Sequence, residues 1–297
     1  MPHLRSRHYA SVTVVVVALA ASIVLLALGL DALSLVLGGA VVAAAFATVI
    51  GFWLEPAARA RRAGQRRERK AKRLARKRTA RMRKVIHAAE RRLFSQLEAL
   101  AWLRDELDLK RPLPATRGAA AAPDALLQLV RLVDRGEPRS VVELGSGVST
   151  IVIAARLKAA GKGRLVALEH EPTYARATRA ELRAQGLDGI ATVVDAPLVE
   201  VSVGDETWQW YEIGAEMPER IDLLFVDGPP GRTGPLARYP ALPLLRDRLV
   251  PGATILVDDG DRADEQVMVQ RWESEIEGLA ARHLAFAKGA WLVTMPG

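Results

Sequence analysis

Glycines and acids follow short apolar runs of this chain, a pattern that can hold a ligand. The run VVELGSGVST, residues 141–150, carries Glu143 just before a Gly-Ser-Gly turn, and the run LVALEHE, residues 165–171, carries Glu169 near its end. Glycines at the end of a strand let the backbone approach a ligand, and an acid at the tip of the next strand can bind a ribose diol. The pattern predicts a site for an adenosine-containing cofactor.

The glycine turn distinguishes between classes of cofactor. Residues 145–150 read GSGVST, so Thr150 stands where a dinucleotide fingerprint has its third glycine, and no Lys is placed to reach phosphates. Glu143 would repel a pyrophosphate, whereas it would attract a cationic amino-acid or sulfonium group. The turn therefore favours a cationic cofactor over a dinucleotide.

Three further carboxylates follow two later apolar runs. Asp227 directly follows the apolar run of residues 221–226, and Asp258 and Asp259 directly follow the apolar run of residues 252–257. Because the carboxyl ends of parallel strands meet at one crevice, we expect the three acids to lie close together. Clustered carboxylates repel one another unless a cation or proton lies among them, and oxygen ligands suit Mg²⁺ or Mn²⁺.

This cluster predicts a metal site, with Asp227, Asp258 and Asp259 as ligands and the first two as catalytic residues. A bound divalent ion would lower the pKa of a substrate hydroxyl and hold its oxygen in line for transfer. The alternative is that Asp227 contacts an amino group of the cofactor while the acid pair caps the following helix.

Together these motifs resemble the class I S-adenosylmethionine (SAM)-dependent methyltransferases, whose first motif has the E-x-G-x-G form of residues 143–147. The resemblance covers about residues 113–297 and includes two short strands joined at Lys288 and Gly289. It implies an α/β fold with a Rossmann-like seven-stranded sheet and a C-terminal antiparallel hairpin. Residues 197–218, which include Trp208 and Trp210, fit the alternation poorly and are interpreted as a substrate-facing flap or as packed aromatics.

The resemblance also implies a set of cofactor contacts. Glu169 would hold the ribose, and Gly145 and Gly147 the methionine moiety. Asp195 or Ala196 would lie at the adenine edge, beside His170. The complete predicted set is Glu143, Gly145, Ser146, Gly147, Ser149, Glu169, His170, Asp195, Ala196 and Asp227.

The acids after residues 221–226 and 252–257 look similar to those of the metal-dependent catechol-O-methyltransferase group, which implies methylation of oxygen. Two positions depart from that group's pattern. It has Asp-Asn where this chain has Asp258 and Asp259, and it has a lysine base where this chain runs GPPGR at 228–232. The general base is therefore unassigned.

Composition separates the first hundred residues from the rest. The 297 residues contain no cysteine, which excludes disulfides and thiolate sites. Residues 11–30 and 32–54 are almost wholly apolar, and each approaches the ~20 residues that a membrane-spanning helix needs. We expect a transmembrane hairpin within residues 1–54, with a cleaved signal peptide or a buried core hairpin as alternatives.

Charge predicts the orientation of this hairpin. Arg5 and Arg7 precede it, and residues 59–84 hold 15 Lys or Arg against the single acid Glu68. The positive-inside rule places both flanks in the cytoplasm, with Asp31 at the outer face of a multi-pass cell-membrane protein. The basic segment, residues 55–110, is predicted as a helix on anionic headgroups, at about 1 kcal/mol per charge near the surface. Nucleic acid is the disfavoured alternative because no aromatics are interleaved for stacking.

Apolar residues at helical spacing follow the basic run, between Ile86 and Leu107, and predict either a homodimer contact or packing on the next domain. That domain, residues 111–297, is predicted to be a membrane-anchored SAM-dependent methyltransferase. It would methylate a hydroxyl of a small molecule or of a cell-envelope or glycan precursor at the cytoplasmic face. The alternatives are a non-catalytic SAM-binding membrane scaffold and a nicotinamide-dependent oxidoreductase.

Overall fold

The computed structural model describes residues 32–116, 118 and 120–297, together with scattered positions between 13 and 28. The predicted first span, residues 11–30, therefore lies largely outside the described residues, and Asp31 lies wholly outside them. The chain divides into two compact units, Met1–Ile86 and His87–Gly297.

One long helix, α1, runs from Ala32 to Glu106 and contains both the predicted second span and nearly all of the predicted basic segment. The expected separation of these two parts at residue 54 is not seen. Alanine, leucine, arginine and lysine dominate this stretch, and all four are strong helix formers. The two-helix transmembrane hairpin is not shown.

Within the described residues, one helix is long and apolar enough to cross a membrane, by length and composition. This stretch is Gly38–Glu106, which forms most of α1. It contains an 18-residue window of mean hydropathy 1.7 that is 0% buried. Its apolar side chains include Val41, Phe46 and Ile50, which are all exposed.

The described part of the second unit contains β1 Ser140–Leu144, β2 Arg164–Glu169, β3 Ala191–Asp195, β4 Leu198–Val203, β5 Glu206–Tyr211, β6 Ile221–Val226, β7 Leu249–Asp258, β8 Ala280–Leu284 and β9 Ala290–Thr294. Seven of these strands form one sheet in the order β3-β2-β1-β6-β7-β9-β8. The first five strands in that order pair in parallel, while β9 runs antiparallel to both β7 and β8. This arrangement confirms the predicted mixed sheet with a C-terminal antiparallel hairpin.

Five further helices alternate with these strands: α2 Pro123–Gly136, α3 Val148–Ala160, α4 Pro172–Gln185, α5 Ala241–Leu245 and α6 Ala263–Glu275. Helices α3 and α4 end at Gly161 and Gly186, whose φ angles of 70° and 67° lie in the left-handed region that favours glycine. The chain turns at these glycines, directly after the last residue of each helix. The next strand then begins at the edge of the sheet opposite to the one where the helix began.

Apolar side chains cover both faces of the sheet in two clusters. The end of α1 joins one of them, because Ala99 and Leu103, together with Leu107 just after the helix, are buried in that cluster. Leu93 and Leu97, which were predicted on the same stripe, are instead exposed. The predicted packing of this stripe on the following domain is therefore seen only at the end of the helix.

Residues 197–218 contain an added antiparallel pair, β4 and β5, outside the main sheet. Trp208, Trp210 and Tyr211 of β5 are all buried in the second apolar cluster. The aromatics of the predicted flap are therefore packed, and the pair is fixed to the sheet beside the ends of β1 and β6.

Candidate active site

The turn between β1 and α3 leaves backbone free at the carboxyl edge of the sheet. Gly145 has a φ of 109° and Gly147 a φ of 147°, where a side chain would be strained. The Gly145 amide donates to the Leu168 carbonyl at 2.9 Å, which ties the turn to β2. The Gly147 amide donates to the Thr150 hydroxyl at 2.9 Å. The turn is thus held from both sides, and its outer surface is left for a ligand.

Glu143 lies beneath this turn and is fully buried. Its carboxylate accepts hydrogen bonds from the hydroxyls of Ser149 and Thr150, the latter at 2.8 Å. Burial raises the pKa of Glu143 to about 8, although both hydroxyls act to lower it. It lines neither cavity described below, so its contacts hold the start of α3 rather than a ligand.

Glu169 ends β2 with its carboxylate oriented by two neighbours. Ser146 Oγ donates to Oε2 at 2.9 Å, and the Glu171 amide donates to Oε1 at 2.9 Å. His170 Nδ1 lies 3.2 Å from Oε1. The Ser146 hydroxyl and the Glu171 amide thus fix the rotamer of an almost wholly buried acid that still faces a cavity, whereas His170 Nδ1 makes no hydrogen bond among the described residues.

Two cavities adjoin at this edge and share Ser146, Tyr174 and Asp227 in their walls. The larger, of about 470 Å³, is mostly apolar and is lined by Gly147, Val148 and Ser149 of α3 and its turn, by α4, and by Pro114, Ala115, Ala120 and Ala121. The smaller, of about 280 Å³, is lined by groups that include Gly145, Glu169, His170, Tyr211 and Asp259. Two adjoining cavities can hold two reactants.

Tyr211 brings an unsatisfied hydroxyl to the smaller cavity. The residue is almost wholly buried, and its Oη has no hydrogen-bond partner among the described residues. A Cβ at Gly228 would lie 2.1 Å from this oxygen, so only glycine fits there. Burial, and next the charge of Glu169, raise the pKa of Tyr211 well above 10, so that the hydroxyl keeps its proton.

The predicted acid cluster is present at the ends of β6 and β7. Asp227, Asp258 and Asp259 each place one carboxylate oxygen within 4.8 Å of the others. Burial, and next the neighbouring Asp258, raise the pKa of Asp227 well above its usual value. Burial and Asp259 likewise raise the pKa of Asp258, whose carboxylate oxygens accept no hydrogen bond from any described residue.

A buried guanidinium already lies among these acids. Arg238, only 4% exposed, donates to the carbonyls of Asp227 and Asp258 at 2.7 and 2.9 Å and to the Asp259 carboxylate at 2.9 Å. Its Nη2 also lies 3.5 Å from Asp227 Oδ1. Arg238 is therefore internal to the fold.

Two more cations face the same acids. Lys288 Nζ lies 3.7 Å from Asp258 and 3.6 Å from Asp259, and Arg262 lies 3.0 Å from Asp259. At an effective dielectric of about 20, a divalent ion and a guanidinium about 5 Å apart would repel by about 7 kcal/mol, which opposes the attraction of the carboxylates. These cations therefore compete with the predicted Mg²⁺ or Mn²⁺ for the same oxygens.

The structure brings most of the predicted cofactor set together, with two exceptions besides Glu143. The Asp195 carboxylate is 61% exposed and pairs with Arg179 at 2.9 Å. Ala196 is buried, and its amide donates to the Glu169 carbonyl at 2.8 Å. Neither lines the two cavities. Asp258, predicted as catalytic, also lies behind the cavity walls.

Sequence reasoning missed two wall residues of α4, Tyr174 and Thr178. The Thr178 hydroxyl lies 3.2 Å from Ser146 Oγ, and both residues face the larger cavity. Their spacing of four residues places them on one helix face, and Pro172 sets the start of that helix at the same edge as Glu169. The four-residue spacing of Tyr174 and Thr178, shortly after the predicted ribose-binding acid, is the sequence signal that could have identified them.

Residues 142–260 match a family model described as a methyltransferase domain. That segment contains the glycine turn, Glu169 and the acid cluster. No curated protein is significantly similar in sequence.

Several solved structures are similar to the chain. An O-methyltransferase from Bacillus cereus in complex with S-adenosylhomocysteine (SAH) is 18% identical, with a TM-score of 0.43, and the match covers 69% of this chain and 90% of that one. The O-methyltransferase TomG from Streptomyces achromogenes, in complex with SAM, is 21% identical, with a TM-score of 0.43 and coverages of 68% and 90%. The SAH-bound methyltransferase PaMTH1 from Podospora anserina is 15% identical, with a TM-score of 0.47 and coverages of 68% and 88%.

Proposed function

We propose that this chain is a SAM-dependent methyltransferase that acts on a hydroxyl group. The observation that carries the proposal is the pair of adjoining cavities at the glycine turn, which have Asp227 in their common wall. The match of residues 142–260 to a methyltransferase domain supports the same conclusion. A two-substrate transfer needs a cofactor and an acceptor side by side, with the reacting atoms at the junction.

Glu169 would bind the ribose diol of SAM. Its carboxylate is held by Ser146 and the Glu171 amide in a fixed orientation, and each still leaves it acceptor capacity. The positive sulfonium would lie near the glycine turn, in the cavity that Glu169 and Asp227 line. These two carboxylates would attract a cation.

Asp227 would accept the proton of the acceptor hydroxyl. Burial, and next the neighbouring Asp258, raise the pKa of Asp227, and a higher pKa makes its carboxylate a stronger base. Bound SAM would supply an activated methyl group to the acceptor oxygen and would leave as SAH. The apolar wall of the larger cavity, which includes Val148 and Ile151, would hold the acceptor's non-polar part.

Calorimetry on the full-length chain in detergent tests the cofactor. SAM, SAH and NAD are titrated separately, and we expect micromolar binding of the first two and none of NAD. Binding of NAD alone would instead favour an oxidoreductase. Binding of none of the three to folded protein would remove the basis for catalysis and favour a scaffold.

We also propose that the N-terminal part anchors the enzyme in the cell membrane, with the catalytic unit in the cytoplasm. The exposed apolar window of α1 and the 15 basic residues of 59–84, against one acid, support this proposal. The exposed charges would lie on anionic headgroups. Such a location suits a cell-envelope or glycan precursor as acceptor.

The absence of cysteine allows a clean test of this topology. Asp31→Cys and Thr79→Cys are expressed separately and treated with a membrane-impermeant maleimide before and after lysis. We expect Asp31→Cys to react in intact cells and Thr79→Cys to react only after lysis. Reaction of both variants in intact cells would contradict the proposed orientation.

A second copy of the chain is the proposed partner of the exposed stripe on α1. Leu93, Phe94, Leu97 and Trp102 are each more than half exposed, while Leu103 packs inward. Light scattering with Leu97→Glu would test it, since an introduced charge at a helix contact should reduce a dimer to monomers.

A further inference from the structure

The carboxylates at the ends of β6 and β7 could serve as the ligands that a metal-dependent transferase needs. Positively charged side chains of the protein, however, already contact them. Asp259 has both oxygens facing cations, because Oδ2 contacts Arg238 and Arg262 while Oδ1 lies 3.6 Å from Lys288. A divalent ion needs such oxygens for itself and must displace any cation that holds them.

Arg238 is built into the sheet end rather than resting on it. Its guanidinium donates to the Asp227 and Asp258 carbonyls, and its Nε lies 3.4 Å from the Pro229 carbonyl. Nη1 also lies 3.4 Å from Glu265 of α6. One planar group thus joins the end of β6, the end of β7 and the start of α6.

We propose that the Arg238 guanidinium takes the place of a divalent cation at the ends of β6 and β7, so that this chain works without a metal. It neutralises the acid cluster and positions Asp227 at the junction of the cavities. Arg238 is a positioning residue, since it acts through Asp227. This catalytic consequence rests on the proposed function, whereas the prediction about metal binding does not.

Charge at position 238 is the variable that tests the proposal. The full-length chain, Arg238→Lys and Arg238→Met are compared in detergent, with Mn²⁺ as the probe and its free fraction followed by electron paramagnetic resonance. We expect the wild type and Arg238→Lys to bind no Mn²⁺ at sub-millimolar concentrations. Arg238→Met removes the cation but keeps a side chain of similar length, and we expect at least about tenfold stronger Mn²⁺ binding.

Melting curves supply a second readout. Mg²⁺ or EDTA should leave the Tm of the wild type unchanged, whereas Mn²⁺ should raise the Tm of Arg238→Met, since a ligand of the folded state alone stabilises it. Sub-millimolar Mn²⁺ binding by the wild type that is lost in Asp259→Asn would overturn the proposal. So would equal Mn²⁺ binding by the Met and Lys variants. If Arg238→Met does not fold, the wild-type and Arg238→Lys measurements decide alone.

Calorimetry with SAM in EDTA on the same wild-type sample separates the two proposals. Metal-free binding of SAM supports both. Failure of SAM to bind with or without Mn²⁺ removes the proposed function and leaves the assignment of Arg238 standing. Binding of SAM only with Mn²⁺ would overturn the metal-free proposal alone.

Discussion

The acids at the two halves of the sheet edge are satisfied in different ways. Glu143 and Glu169, on β1 and β2, accept hydrogen bonds from hydroxyls and a backbone amide, and no described Lys or Arg forms an ion pair with either. The acids at the ends of β6 and β7 instead form ion pairs with Arg238, Lys288 and Arg262. The first half therefore leaves the Glu169 carboxylate without a cation from the described chain, while the acids of the second half are paired within the chain.

The largest effect should come from removing the internal cation. Arg238→Met removes the buried cation that pairs with Asp227, Asp259 and Glu265, and breaking a buried ion pair on one side costs about 3–5 kcal/mol. Chemical denaturation of the full-length chain in metal-free buffer measures the loss. The matched control is Arg262→Met, because Arg262 contacts the same Asp259 but is half exposed, and a loss below about 1 kcal/mol is expected. Equal losses in the two variants would contradict the difference between internal and peripheral cations.

On the other half of the edge, the effect should fall on binding rather than on stability. Glu169→Gln keeps the shape of the side chain and removes its charge, so hydrogen bonds to a ribose diol weaken. We expect SAM affinity to fall by about 10–100-fold, the range for a hydrogen bond to a charged group, with little change in Tm. Calorimetry measures the affinity.

Asp195→Asn is the control for that variant, since Asp195 ends the neighbouring strand outside both cavities and pairs with Arg179. SAM affinity should stay within about twofold of the wild type, the spread of a surface substitution. A loss equal to that of Glu169→Gln would restore Asp195 to the adenine edge, where the resemblance to methyltransferases had predicted it.

Glu143 should make the free energy of unfolding depend on pH. Burial raises its pKa from 4.5 to about 8, so the folded chain holds a proton that the unfolded chain releases between these values. The free energy of unfolding should therefore fall as pH rises toward 8, by about 1–2 kcal/mol above pH 6. Denaturation at several pH values measures this slope, and Glu143→Gln should reduce it. An unchanged slope in the variant would mean that Glu143 is ionised in the folded chain.

The ends of the strands were predictable from sequence, whereas the partners of the acids were not. Apolar runs that stop at glycine or aspartate marked the edge of the sheet, and so Glu169 and Asp227 fell where expected. Glu143 was predicted near the cofactor from the E-x-G-x-G form of residues 143–147, and because β1 is buried on both faces, its pattern gives no sign of which side the acid faces. Arg238 lies in a loop without periodicity, and its burial depends on contacts with strands distant in sequence.

The smallest effect concerns Tyr211, which extends the comparison to a neutral group on the ligand-facing half. Its buried hydroxyl has no partner among the described residues, and such a group costs stability unless a ligand satisfies it. Tyr211→Phe should therefore hold or raise the Tm of the free chain while it weakens SAM binding by about two- to tenfold, the range for a neutral hydrogen bond. Melting curves and calorimetry on one preparation give both numbers. A lower Tm with unchanged affinity would make the hydroxyl structural, whereas opposite changes in the two would show that the fold leaves it unsatisfied for the cofactor.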